Sequence, residues 1–153
     1  MKSYRSSNRK GFTLVEILIV VIILGILAAI VIPQFTSASE DARKSSLQSQ
    51  LQTLRSQVEL YKLQHRDSYP TSDGTASGTW DWTRLTGKTE DTGLAAASGS
   101  TTAVGPYLQQ VPLNSLTNSS TVAATAAAGV GFVFESSTGK IYGVNKDGTQ
   151  ATY

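Results

Sequence analysis

A single carboxylate, Glu16, interrupts an apolar run from Phe12 to Ile32, and Gly11 stands immediately before that run. Lys2, Arg5, Arg9 and Lys10 precede Gly11 with no acidic residue among them. An ordinary secretory signal places its small-residue cleavage site after the apolar stretch, so that the stretch is discarded. Here the small residue comes first and the apolar run leads into a polar helical pattern. That order predicts a cut in front of a hydrophobic segment that is kept. Gly11 suits such a cut, because no β-carbon obstructs approach to its carbonyl. Glu16 falls one turn inside the segment, where a carboxylate costs something below the ~2.5–3.5 kcal/mol of a charge at the centre of a membrane helix. A cost of that kind calls for a partner.

No other constellation has catalytic spacing. His65 is the only histidine, and its place near the end of a long helix predicts an exposed side chain with no catalytic or metal role. With no cysteine in the chain, a disulfide framework and the usual structural zinc sites are excluded. No phosphate-binding glycine loop is present. Asp81, Glu90 and Asp91 read as solvated loop acids. The formal charge of +2 includes the four leader cations; without them acids outnumber bases. The remaining cations are scattered, which argues against a nucleic-acid partner.

The elements that must position Gly11 and Glu16 follow from the pattern. Phe12 to Ile32 is 21 residues, about 31 Å of helix at ~1.5 Å per residue, close to the ~30 Å hydrocarbon thickness of a bilayer. The basic leader predicts a cytoplasmic N-terminus and a C-terminal domain across the membrane. Pro33 withholds a backbone donor and predicts a kink rather than a stop, and Gly25 loosens the helix further. Leu47, Leu51, Leu54, Val58 and Tyr61 recur at spacings of four and three, tracing one apolar stripe. Helix is therefore expected from Phe12 to about His65, roughly 80 Å of rod at ~1.5 Å per residue, carrying a small head. Tyr69-Pro70 and the Thr-Ser-Asp-Gly segment after it open a loop. A turn of helix is expected through Trp80-Asp81-Trp82 to Leu85, with surface loops at 92–105 and 117–129. The runs 131–135 and 140–144 predict an antiparallel hairpin, completed by a third strand around Val111 or Val122, or by the long helix itself. The fold class is α+β, a long N-terminal helix packed on a small antiparallel sheet. The domains are a leader (1–11), a transmembrane and assembly helix (12–33), an amphipathic helix (34–65) and a globular head (66–153).

Gly11-Phe12-Thr13-Leu14-Val15-Glu16 behind a basic leader, with Gly25, Pro33 and the continuing helix, resembles type IV pilins and type II secretion pseudopilins. Ala42-Arg43-Lys44, the run into Tyr61-Lys62 and Gly105-Pro106-Tyr107-Leu108 are most similar to the major, G-type pseudopilin. The resemblance implies a pilin-like fold, cleavage between Gly11 and Phe12 by prepilin peptidase, and N-methylation of Phe12. It implies that Glu16 governs assembly by pairing with the new α-amino group of a neighbouring copy. Two unit charges ~4 Å apart attract by up to ~4 kcal/mol at an effective dielectric near 20, before desolvation. The implied function is that of a structural, non-enzymatic subunit of a periplasmic pseudopilus. Its partners would be further copies of itself, other pseudopilins and an inner-membrane secretion platform. Its home would be the inner membrane, spanned once with the head in the periplasm, and then the filament. Alternatives from the same residues are a type IV pilin, a DNA-uptake pseudopilin, or a single-pass anchored module that binds a ligand through loops 71–105. Major pseudopilins also hold calcium in an acidic C-terminal loop, but the stretch from Tyr142 to Thr149 lacks the acidic continuation. Asp147 is thus only a weak calcium candidate, and no cofactor is expected. Asn114-Ser115-Leu116-Thr117 likewise replaces the family's Asp-Pro-Trp-Gly-type turn.

Overall fold

The computed structural model describes residues 11–152, so the leader cations Lys2, Arg5, Arg9 and Lys10 lie outside the described residues. The chain divides into two units, Met1–Ser39 and Glu40–Tyr153. One helix, α1 (Leu14–Gln64), supplies the described core of the first and the N-terminal element of the second. The second unit adds α2 (Thr83–Thr86), β1 (Val122–Ala123), β2 (Phe132–Glu135) and β3 (Lys140–Gly143).

In the first unit the apolar side chains have nothing to pack against. From Phe12 to Ile32 the large hydrophobic residues range from 40% exposed at Val31 to 82% at Phe12. Among the described residues this is the one helix long and apolar enough to cross a membrane. Pro33 lies inside α1 and does not end it. Around it the Thr36 hydroxyl donates to the Ile32 carbonyl at 3.2 Å, and Ser37 to Pro33 and Gln34 at 3.3 and 3.1 Å. These are back-bonds of helical hydroxyls to carbonyls of the preceding turn, whereas the carbonyl that Pro33 leaves without its helical donor is that of Ala29.

In the second unit the stripe is buried as its spacing requires: Leu47, Leu51, Leu54, Val58 and Tyr61 are each at most 3% exposed. They pack with Leu85, Phe132 and Ile141, and Trp80, Trp82, Tyr107, Leu108, Leu116 and Val122 close around them. Full burial of each large side chain contributes about 1.5–3 kcal/mol. The sheet lies so close to α1 at Gly143 that a β-carbon there would meet Leu47 Cδ2 at 2.8 Å, and that buried side chain would have to shift.

The sheet order is β1-β2-β3. β2 and β3 form the expected antiparallel hairpin, Phe132 opposite Gly143 and Glu135 opposite Lys140. Its turn closes with Gly139 at φ 67°, a left-handed conformation natural to glycine. β1 forms at Val122, one of the two places foreseen, but pairs parallel to β2, Val122 with Phe132. The sheet is therefore mixed rather than wholly antiparallel. The reason is the connection: residues 124–131 loop back to the starting end instead of reversing through a tight turn, so β2 sets off in the direction of β1.

Segment 117–129 is thus not only surface loop, and 92–105 is not loose either. Thr89, 1% exposed, bridges to both Ala95 and Val104. Its N–H reaches the Val104 carbonyl at 3.0 Å, and the Val104 N–H returns to Thr89 at 2.9 Å. Asn114 ties the far end of the sheet. Its amide donates to the Gly131 and Val144 carbonyls at 2.6 and 2.9 Å, and its oxygen accepts the Leu116 and Thr117 N–H groups. One buried side chain thereby satisfies four backbone groups.

Candidate functional site

The start of α1 is built by Thr13 and Glu16 together. Thr13 is the residue before the first helical position, and its hydroxyl accepts the Glu16 N–H at 3.2 Å. The Glu16 carboxylate reaches back, its Oε2 accepting the Thr13 N–H and the Thr13 hydroxyl, each at 2.9 Å. This is a reciprocal capping box, in which a threonine and a glutamate three residues on satisfy orphan donors at a helix N-terminus. Sequence reasoning had fixed on the charge of Glu16 and missed Thr13. The signal was present in the spacing Thr-x-x-Glu ahead of an apolar run. Glu16 is exposed, as are Gly11 and Phe12. A β-carbon on Gly11 or Gly25 would meet nothing within 4 Å, so neither glycine is required by packing within the chain.

The other residues singled out from sequence have structural employment. Asp147 Oδ1 accepts the Thr149 hydroxyl at 2.6 Å and the Thr149 N–H at 3.0 Å, and these bonds hold its carboxyl below the usual aspartate range. Asp81 engages Thr83 in the same manner, and Asp91 pairs with Arg66 at 2.5 Å. Among the described residues no group of three or more histidines and acids is arranged to hold a metal ion.

His65 contradicts its expected exposure: it is 0% exposed. Its Nδ1 lies 2.7 Å from the Tyr61 carbonyl and its Nε2 2.9 Å from the Thr89 hydroxyl. Because a carbonyl only accepts, Nδ1 carries the proton facing Tyr61. His65 thus satisfies a carbonyl left over at the end of α1 and fastens the 89–104 segment to it. Its ring stacks on Tyr61 at 3.9 Å, and Tyr107 meets both rings edge-on. Burial first, then the neighbouring Tyr61 phenol, push Tyr107 up to about 12. The Tyr107 hydroxyl donates to Gln64 at 2.6 Å.

Residues 6–32 match the prokaryotic N-terminal methylation motif. The chain is 42% identical over 66 residues to the type II secretion system core protein G of Dickeya chrysanthemi. It is 39% identical over 65 residues to that of Pseudomonas aeruginosa, and 35% over 68 to that of Escherichia coli K12. The resemblance to the G-type pseudopilins holds. The match to these relatives takes in 43%, 42% and 44% of this chain, and the chain spans about half the length of these relatives, 42%, 45% and 46% respectively. No solved structure matches. The matched methylation-motif segment takes in Gly11, Phe12, Thr13, Glu16 and Gly25 and ends one residue before Pro33.

Proposed function

We propose that this chain is a structural subunit of a type II secretion pseudopilus. Prepilin peptidase cleaves it between Gly11 and Phe12 and methylates the new terminus, and copies then polymerise with other pseudopilins on an inner-membrane platform. Before assembly the subunit rests in the inner membrane, with its N-terminus cytoplasmic and its head periplasmic. The work is mechanical rather than enzymatic, and the reading assigns no cofactor, calcium included, since the Asp147 carboxylate is engaged by Thr149.

The observation that carries this reading is the uncovered apolar helix beginning directly after Gly11, with its one carboxylate at the capping position. Lipid or neighbouring copies of the same helix can cover such a surface, and apolar helices associate by close packing and polar contacts in that setting. Glu16 has a role in each state. In the single subunit it is held by Thr13; in the polymer it meets the α-amino group that cleavage creates on a neighbour. Gly25 and Pro33 supply the place where the packed helix yields.

Glu16→Ala and Glu16→Gln separate the charge from the cap. Both variants should reach the membrane and be cleaved, and both should lose at least tenfold in sedimentable filament and in secretion, because neither retains the charge that pairs with the amine. Filament and secretion at parental levels in either variant would refute the pairing.

A further inference from the structure

The sequence holds two Asp-Gly pairs, Asp73-Gly74 and Asp147-Gly148, and a threonine follows each. Such a pair is open to imide formation, because glycine has no side chain to shield its nitrogen. That nitrogen attacks the aspartate Cγ: an N–Cγ bond forms and a carboxyl C–O bond breaks. The oxygen leaves as water, taking the amide hydrogen and one proton from solvent. Water then opens the five-membered imide at either carbonyl. One opening restores aspartate; the other leaves isoaspartate, whose main chain runs through Cβ and Cγ.

The two turns share one design. Asp73 Oδ1 accepts the Thr75 N–H at 2.9 Å and the Thr75 hydroxyl at 3.0 Å, with the Thr71 hydroxyl 3.3 Å away. Asp147 Oδ1 accepts the Thr149 N–H at 3.0 Å and the Thr149 hydroxyl at 2.6 Å. Both carboxyls are held below the usual aspartate range, Asp73 chiefly by the Thr75 N–H and Asp147 chiefly by the Thr149 hydroxyl. Each therefore stays ionised, the form from which an oxygen departs least readily. The attacking nitrogens differ. Gly148 N–H donates to the Asn145 carbonyl at 3.0 Å, inside a turn closed by the Asn145 N–H on the Thr149 carbonyl at 2.8 Å. Gly74 N–H reaches the Thr71 carbonyl only at 3.3 Å, beyond the ~2.7–3.2 Å of ordinary N–H···O bonds. A nitrogen whose hydrogen is engaged is not free to turn onto Cγ, and Gly74 is the less firmly held of the two.

From this difference we infer that Asp73 is a site of spontaneous isomerisation in the folded chain, and that the turn locked by Thr149 keeps Asp147 closed to the same reaction. The inference stands apart from the polymer reading, since it needs only the fold from Glu40 onward. Isoaspartate at position 73 lengthens the main chain by one carbon and carries the carboxylate away from Thr75. That change falls within the loop which the Thr71 and Trp80 bridge closes.

The full chain, purified in detergent, is aged at neutral pH either folded or unfolded in urea, then digested. Isoaspartate in each peptide is read by chromatographic separation and by methyl uptake from an isoaspartyl methyltransferase. In urea the two pairs should convert at similar rates. In the folded protein Asp73 should convert roughly tenfold faster than Asp147, about 1.4 kcal/mol of barrier. Equal rates at the two positions in the folded protein, or the faster rate at Asp147, would overturn the inference. Thr149→Val keeps the N–H and loses the hydroxyl at an exposed position. It should raise conversion at Asp147 and leave Asp73 as in the parent, whereas Thr149→Ser should match the parent at both. A valine variant that converts at Asp147 no faster than the parent would also overturn it. Should both positions accelerate together, the variant has lost its fold, and the parent's folded ratio decides.

Discussion

Thr13 and His65 sit at opposite ends of α1, where backbone groups lack helical partners, and each supplies a side chain to satisfy one. Both were legible in part. Thr13 stands three residues before Glu16, and His65 takes the next place in the series 47, 51, 54, 58, 61, where the spacing calls for an inward position. What sequence could not show is the hydroxyl that completes the His65 site, since Thr89 lies 24 residues further on. Replacing Thr89 with valine strands Nε2 in the interior and should cost roughly 1–3 kcal/mol. Urea unfolding of the protein measures this, with Thr89→Ser close to the parent; a valine variant equal to the parent would contradict the buried bond. Tyr107 gives a second test through pH. A free phenol ionises near pH 10 and Tyr107 is raised to about 12, so on raising the pH the unfolded chain loses its proton first. The stabilisation is whole below about pH 10 and is lost as pH climbs towards 12. Ultraviolet titration should show a late phenolate step near pH 12 that Tyr107→Phe removes. Completion of all tyrosine ionisation close to pH 10 would disagree.

At the scale of elements, the long helix and the hairpin were legible because each declares a period. Five side chains at spacings of four and three gave the buried face of α1, and two β-prone runs around Ser-Ser-Thr-Gly gave β2 and β3. The direction of β1 was hidden, because two residues carry no period and nothing local distinguishes parallel from antiparallel pairing. Asn114 was equally hidden: its sequence neighbours suggest a plain turn, whereas its partners Gly131 and Val144 are 17 and 30 residues away. Asn114→Ala removes the side-chain partner of the Val144 carbonyl and of the part-buried Leu116 and Thr117 N–H groups, while the Gly131 carbonyl keeps only the Val144 N–H at 3.1 Å. Its cost should exceed the roughly 1–3 kcal/mol of one buried unsatisfied group, read as a lowered thermal midpoint of the protein. Asn114→Asp should be no better, since it retains the acceptor and loses both donors. Parental stability in either variant would show that the four bonds do not hold the end of the sheet.

The whole molecule combines two units with opposite relations to solvent. From Glu40 onward apolar side chains are enclosed by helix, sheet and tethered loops, whereas between Phe12 and Ile32 they face outward. The exposed apolar surface of the first unit needs cover, which the proposed membrane and polymer states supply. This division was readable from composition alone, because an unbroken apolar run cannot alternate between a core and water. The cleavage proposed at its boundary is less visible, since it is written only in an order of residues. Intact-mass and N-terminal peptide mass spectrometry of the chain purified from its native membrane tests this directly. The first residue should be Phe12, one methyl group heavier than unmodified phenylalanine; a mature chain still beginning at Met1 would contradict it.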